Sequence, residues 1–581
     1  MEGQLMLGNE AIARGAWEAG VHVVSSYPGT PSTEVTEACA TYPEIYTEWA
    51  TNEKVALEVC AGASVGGARA LACMKHVGVN VAADPLFTAA YTGVNGGLVV
   101  LCADDPGMHS SQNEQDSRYY ARAAHLIMLE PSDSQECKDL MTLAFDLSEQ
   151  FDTPVMVRTT TRVAHARSMV TLGARSDVAV KPYEKNAGKY VMMPGMARPR
   201  HVVVERRMND AADYANTCPA NKVLMKGKAL GIVCSGVAYQ YVREALPDAS
   251  ILKLGMVYPL ARETIAQFAR SVERLVVIEE LEGFFEEQIA AWGIPVEGKK
   301  LTGLQGELSV NRIRRIFDLP VDEAFSAAQI PGRPPVMCAG CPHRGPFSVL
   351  SRLGYHVTGD IGCYTLGALA PLCTLDTTLC MGASIGMAQG MARARGEAFG
   401  QKTVAVIGDS TFLHSGVPSL ISAVYNQSHE TVIILDNTIT GMTGHQPNPN
   451  TGREIHGNPA PKIDLEALCR GCGVRRVRTV DAFDLAALEE AIKEETACQE
   501  VSVIVAFRPC ALLDKKRKKA CLAVDPDKCV GCFQCMKLSC PAIERVEGAR
   551  KVRINRTMCV GCGLCKQSCK FGAIEGAGEN L

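Results

Sequence analysis

Two runs of cysteine near the end of the chain constrain it more than any other feature of the sequence. The first reads Cys529-x2-Cys532-x2-Cys535-x4-Cys540-Pro541, and the second Cys559-x2-Cys562-x2-Cys565-x3-Cys569. Three thiols at two-residue gaps wrap one corner-sharing cube of iron and sulfide, and the distant fourth reaches the other cube. This crossed pairing assigns Cys529, Cys532, Cys535 and Cys569 to one [4Fe–4S] cluster, and Cys559, Cys562, Cys565 and Cys540 to the second. Val530-Gly531 and Val560-Gly561 repeat inside the runs, as in a duplicated unit, and glycine lets backbone N–H groups approach cluster sulfurs. The competing metal is zinc, but zinc sites usually pair CxxC units across longer spacers and often take histidine, and this tail has none. The first run has four residues before its last cysteine where three are usual, and Lys570 follows Cys569 where proline is common.

The spacing resembles that of two-cluster bacterial ferredoxins. Nine of the 25 cysteines lie after residue 520 in a chain of 581. A secreted disulfide scaffold would be short and led by a signal peptide, whereas Met1-Glu2-Gly3-Gln4-Leu5 lacks a basic region followed by an apolar core. A reducing cytoplasm is the expected compartment. With 59 basic against 63 acidic side chains there is none of the basic excess of a nucleic-acid-binding chain. No uncharged apolar run reaches the roughly 18 residues of a membrane span. The length implies about four domains of roughly 150 residues.

Near-continuous Val/Leu strands, each ending in a loop, predict parallel sheets covered on both faces. In residues 1–185 they are Val21–Val24, Gly97–Leu101 and Pro154–Val157. The Pro-, Lys-, Arg- and Met-rich stretch from about 180 to 225 reads as a connector. A second α/β block, 186–330, has strands at Leu230–Cys234 and Leu275–Glu279, and Arg333-Pro334-Pro335 reads as a boundary. A third, 331–513, has strands at Thr403–Ile407, Thr431–Leu435 and Val501–Val505. The run Lys515–Lys519 reads as a solvated linker to the tail domain, 520–581.

In the third block one strand runs straight into Gly408-Asp409-Ser410, and the next into Asp436-Asn437-Thr438-Ile439-Thr440-Gly441. A carboxylate and an amide oxygen at two strand ends suit a hard cation that keeps diphosphate oxygens as further ligands. Gly408 and Gly441 permit close backbone approach, and N–H groups at a helix start can hold phosphate. The pair resembles the thiamine diphosphate fingerprint, a GDG or GDS followed about 28 residues later by Asn. That resemblance assigns Mg²⁺ to Asp409, Asn437 and the carbonyl of Ile439, with Ser410 beside them. The cofactor also needs a buried, partly protonated carboxylate against its aminopyrimidine. Glu53, followed by an Ala/Gly-rich helix with Gly62 nine positions on, fits the family pattern. Glu58 is its competitor, on another face of the helix, and a charge favoured by the helix dipole is the plain alternative for Glu53.

Taken together, the chain resembles the 2-oxoacid:ferredoxin oxidoreductases, and among them the large-subunit branch that acts on arylpyruvates. The motifs that carry this are Tyr27-Pro28-Gly29-Thr30-Pro31-Ser32-Thr33, Met337-Cys338-Ala339-Gly340-Cys341-Pro342-His343-Arg344, Gly408–Gly416 and Thr440-Gly441-Met442-Thr443-Gly444-His445-Gln446-Pro447. The resemblance implies three doubly wound α/β domains: a pyrimidine-binding domain, a transketolase C-terminal-like middle domain and a diphosphate- and magnesium-binding domain, followed by the ferredoxin-like tail. It implies that Thr30 contacts the substrate carboxylate and that Gly382 joins the cofactor-binding set. It also implies oxidative decarboxylation of arylpyruvates with coenzyme A, and a smaller β subunit and ferredoxin as partners in an α2β2 assembly.

In related enzymes four cysteines in the order of Cys338, Cys341, Cys363 and Cys510 bind a further [4Fe–4S] cluster. A CxxC turn plus two buried core cysteines is the other reading, and the sequence leaves both open. His343 is a candidate substrate or diphosphate contact, and Cys469-x2-Cys472, with no second pair nearby, reads as structural. Two rival functions remain: a non-oxidative thiamine diphosphate decarboxylase, which has no need of eight tail cysteines, and an electron-transfer module with the α/β blocks as scaffold.

Overall fold

The computed structural model describes residues 3–321, 334–513 and 520–576; Arg333 and the run Lys515–Lys519 lie outside them. The chain divides into two compact units, Met1–Ala328 and Gln329–Leu581. The first is built on a seven-stranded sheet in the order Met256–Tyr258, Ile127–Leu129, Val155–Thr160, Leu98–Asp104, Ala70–Lys75, Val23–Ser26 and Tyr46–Trp49. All neighbours are parallel except Met256–Tyr258 against Ile127–Leu129. Side chains alternate between two cores. Leu71, Cys73, Val99, Leu101, Val155 and Val157 face one. Ala70, Ala72, Met74, Leu98, Val100 and Met156 face the other. That two-sided burial explains why these strands read as continuous apolar runs.

The block expected at 186–330 forms a four-stranded sheet, Arg274–Ile278, Leu230–Ser235, Ser250–Leu254 and Lys222–Leu224, parallel but for its last edge strand. It lends Met256–Tyr258 to the larger sheet and shares the core of Leu57, Val100, Leu254 and Phe284. The stretch read as a connector holds a 22-residue helix, Pro194–Ala215. Pro194 stands at its first turn, where its missing N–H costs nothing, and Val204, Met208, Ala211 and Ala215 form the buried stripe. The density of Pro and charge hid that stripe.

The second unit carries a six-stranded, wholly parallel sheet: Thr377–Thr378, His356–Gly359, Thr403–Gly408, Thr431–Asp436, Ser502–Phe507 and Arg476–Asp481. Val404, Val406, Ile433 and Leu435 point to one core, and Ala405, Ile407, Val432 and Ile434 to the other. The tail adds two antiparallel ribbons, Leu522–Val524 with Ile574–Gly576 and Ile543–Arg545 with Val552–Ile554. Among the described residues no helix is long and apolar enough to cross a membrane.

Buried charge ties the blocks of the first unit together. Arg118 lies 2.5 Å from Asp116 and 2.5 Å from Glu279, all three almost fully buried. Burial pushes the Glu279 carboxyl up, and Arg118 opposes that shift. Arg118→Ala leaves two buried carboxylates unpaired and is expected to cost about 3–5 kcal/mol, read from denaturant unfolding.

Candidate active site

Strands Thr403–Gly408 and Thr431–Asp436 are paired in parallel, with Gly408 opposite Leu435. Their ends therefore open side by side. Asp409 starts the short helix after Gly408 and is buried, as are Asn437 and Ile439. Asn450 joins the two ends: its Nδ2 donates to Asp409 Oδ2 (3.1 Å) and to Asp436 Oδ1 (2.7 Å). The Ser410 and Thr440 hydroxyls meet at 2.9 Å. Burial first, then the neighbouring Asp436, push the Asp409 carboxyl up to about 7.

A divalent cation reverses that shift, and the oxygens to hold one are present. Asn437 Oδ1 accepts only a long bond (3.3 Å) from Ile439 N, and the Ile439 backbone borders the same loop. Asp409, Asn437 and Ile439 thus fit a magnesium diphosphate. Gly408 is needed because a Cβ there would lie 2.6 Å from the Tyr364 ring. Gly382, at φ 85°, precedes helix Ala383–Arg395, and a Cβ there would lie 2.5 Å from Ser415 Oγ. Buried Asp360 takes the amides of Gly382 (2.8 Å) and Ser384 (3.0 Å). His343 Nε2 lies 3.5 Å from Asn437 Nδ2, and burial lowers its pKa to about 4.

The four cysteines left open by the sequence adjoin this loop. Burial and the neighbouring Cys363 and Cys338 push the Cys341 thiol up to about 12. Burial, Cys510 and Cys338 push Cys363 up to about 11. Cys510 N donates to Asn437 O (3.0 Å), and a Cβ on Gly441 would stand 3.6 Å from Cys363 Sγ. Burial and then Cys338 raise the Cys510 thiol as well. Cys469 is buried in the second unit's apolar core, with Cys472 packed against it.

In the tail, burial and then Cys532, Cys569 and Cys529 push the Cys535 thiol up to about 11. Burial and then Cys562, Cys540 and Cys559 push Cys565 up to about 12. Cys535, of the first run, also stands among the neighbours of Cys565. In each set one thiol is buried, Cys535 in the first and Cys565 in the second, and a buried thiol ionises far more readily beside a cation. The first set lines a pocket together with Val530, Gly531, Phe533 and Phe571. Among the described residues no three His, Cys, Asp or Glu side chains are gathered to hold a single ion, whereas a cube sets its thiolates farther apart. Gly561 N donates to Cys559 Sγ (3.4 Å), as the Val-Gly repeat predicted, while Gly531 is required because a Cβ there would collide with Arg550 O. The extra residue of the first run is absorbed by Ser539, left-handed at φ 57°.

In the first unit, Glu53 opens helix Glu53–Val65 behind the N-cap Asn52, whose side chain accepts from Val55 N (2.9 Å). Glu53 is buried; Glu58 is exposed and pairs with Lys54. A Cβ on Gly78 would stand 2.7 Å from Glu53 Cγ, so glycine makes the space the carboxylate fills. Buried Lys75 donates to Ser110 O (3.0 Å), and Ser110 Oγ to Thr30 O (3.4 Å). Burial lowers the Lys75 pKa against the pull of Asp105 and Glu53. Thr30 is half-buried. Sequence reasoning missed Asn450, Gly78, Lys75 and Asp360; only Asn448-Pro449-Asn450, a turn signal just past the quoted motif, offered a local cue.

Three family models match. "Pyruvate flavodoxin/ferredoxin oxidoreductase, thiamine diP-bdg" covers residues 14–220. "Thiamine pyrophosphate enzyme, C-terminal TPP binding domain" covers 360–506, and "4Fe-4S binding domain" covers 552–575. Indolepyruvate oxidoreductase subunit IorA of Archaeoglobus fulgidus is 39% identical over 99% of this chain and 98% of its own. The protein of that name from Pyrococcus horikoshii is 40% identical over 98% and 96%. A 2-oxoglutarate synthase subunit KorA of Methanothermobacter marburgensis is 30% identical over 29% of this chain and 48% of its own. Fold and site define a thiamine diphosphate-dependent oxidoreductase with a built-in iron–sulfur module. Within that class, the chain belongs to the indolepyruvate oxidoreductase subunit IorA family.

Asn450→Ala removes the one amide shared by Asp409 and Asp436. The loss is expected to lower unfolding free energy by about 1–3 kcal/mol in denaturant titration.

Proposed function

We propose that this chain is the large subunit of an enzyme that oxidatively decarboxylates arylpyruvates (indolepyruvate, phenylpyruvate and 4-hydroxyphenylpyruvate), passing the acyl group to coenzyme A and the electrons to ferredoxin. The observation that carries the reading is the presence, in one chain, of the buried Asp409 and Asn437 at adjacent strand ends and eight tail cysteines in two runs. A non-oxidative decarboxylase has use for the first and none for the second. The name borne by its relatives supports the arylpyruvate class and a multi-subunit enzyme. A smaller β subunit in an α2β2 assembly, working in the cytoplasm, completes the reading.

When bound, thiamine diphosphate supplies the carbanion and electron sink that decarboxylation needs, and the clusters carry electrons away singly. Asp409, Asn437 and the Ile439 carbonyl hold Mg²⁺, while Gly408, Ser410, Gly441 and Gly382 give the diphosphate room. Glu53, buried at the start of its helix, would offer its carboxyl to the aminopyrimidine nitrogen. Thr30 offers its hydroxyl to the substrate carboxylate, with the Lys75 cation lending charge to the same region of the first unit. Cys338, Cys341, Cys363 and Cys510 hold a third cluster beside the Asn437 loop.

The reading is tested anaerobically, with the smaller subunit present, by ferredoxin reduction that requires both arylpyruvate and coenzyme A. Release of CO₂ without ferredoxin reduction would favour the non-oxidative rival. Glu53→Gln is expected to lower kcat by roughly a hundredfold or more with cofactor still bound. Iron and sulfide analysis is expected to give three cubes per chain, and one fewer in Cys363→Ser with the tail clusters intact.

A further inference from the structure

Arg344 opens helix Arg344–Leu353, just after the Cys338–Cys341 loop, and is 1% exposed. Its Nε and Nη2 donate to Cys338 O (3.2 and 3.1 Å), and Nη2 also to Met337 O. Its Nη1 donates to Leu538 O (2.7 Å) and Ser539 O, the two residues before Cys540. One planar fork therefore ties the CxxC loop to the tail. Around it the joint is close: a Cβ on Gly340 would collide with Val560, between Cys559 and Cys562. Gln567 Nε2 donates to Phe483 O (2.7 Å), and Leu485 N to Gln567 Oε1 (3.0 Å).

These five bonds all go to neutral backbone carbonyls. The groups whose ionisation would favour the charged arginine are cysteines, Cys540 first and then Cys341, Cys562 and Cys338, and burial outweighs them. A buried guanidinium is costly unless an anion faces it. An iron–sulfur cube with four thiolates is a net anion and gains one more negative charge on reduction, so a fixed cation beside it favours the reduced form.

We propose that Arg344 is a positioning residue for electron transfer: its fork pins the segment before Cys540 to the Cys338–Cys341 loop, and its charge raises the reduction potential of the cluster held by Cys540, Cys559, Cys562 and Cys565. This rests on reading the tail as a two-cluster module. Cys540, Cys559, Cys562 and Cys565 would hold that cluster, which would serve as a one-electron carrier, and Arg344 keeps its protons throughout.

The test is a redox titration followed by electron paramagnetic resonance, with iron and sulfide counted, on the anaerobic holoenzyme and its Arg344→Gln and Arg344→Lys variants. Failure of the unmodified protein to show two tail clusters would remove the underlying reading and with it the proposal. With both clusters present, Arg344→Gln is expected to move one of them at least tenfold toward its oxidised form, about 59 mV for a one-electron couple, and to leave the other unchanged. Arg344→Lys is expected to restore that potential while amide exchange across residues 537–541 quickens at least tenfold. An unchanged potential in iron-replete Arg344→Gln would overturn the proposal, as would equal shifts in the two variants. Should Arg344→Gln lose the cluster, Arg344→Lys decides: retention near the original potential supports the role of charge, and loss in both overturns it.

Discussion

The hydrogen bonds from Asn450 to Asp409 and Asp436 hold together two carboxylates that would otherwise repel across the end of a buried sheet. Everything the second unit offers a cofactor depends on that arrangement. The strands before the two residues are parallel neighbours, apolar on both faces, so polar groups collect where the strands stop. The amide spreads its two protons between the acids and leaves Asp409 without a cation among its close partners. The site is thus short of positive charge, which a divalent cation would supply.

The same economy of charge runs through the cysteines. Burial holds the Cys341, Cys363, Cys535 and Cys565 thiols above their ordinary range. Apolar neighbours such as Leu538, Leu564, Ile543 and Ile574 fill the spaces between the tail thiols. Little in that small core substitutes for the clusters, so metal loading and folding of the tail are one process.

Much of this was legible beforehand. The strand ends at Asp409 and Asn437 follow from apolar runs that stop at Gly408 and Asp436. The iron–sulfur nature of the tail was legible in the cysteine spacing. Glu53 and Glu58 separate in burial as their angular positions on one helix required. What stayed hidden depends on distant chain segments. Gly78 lies 25 residues beyond Glu53 in sequence, and only folding brings it against that carboxylate. Helix Pro194–Ala215 was masked because its buried stripe is interrupted by arginines and prolines. Arg344 reads as one more basic residue after a cysteine motif until the tail, nearly 200 positions on, closes over it.

The cavity of the first tail set has a rim of exposed residues, Cys532, Val530 and Phe571. The second set lies against Arg344 and the body of its unit. Oxygen arriving from solution therefore meets the outer cube first. The Arg344 joint, with its five bonds to backbone carbonyls, is buried away from that reach.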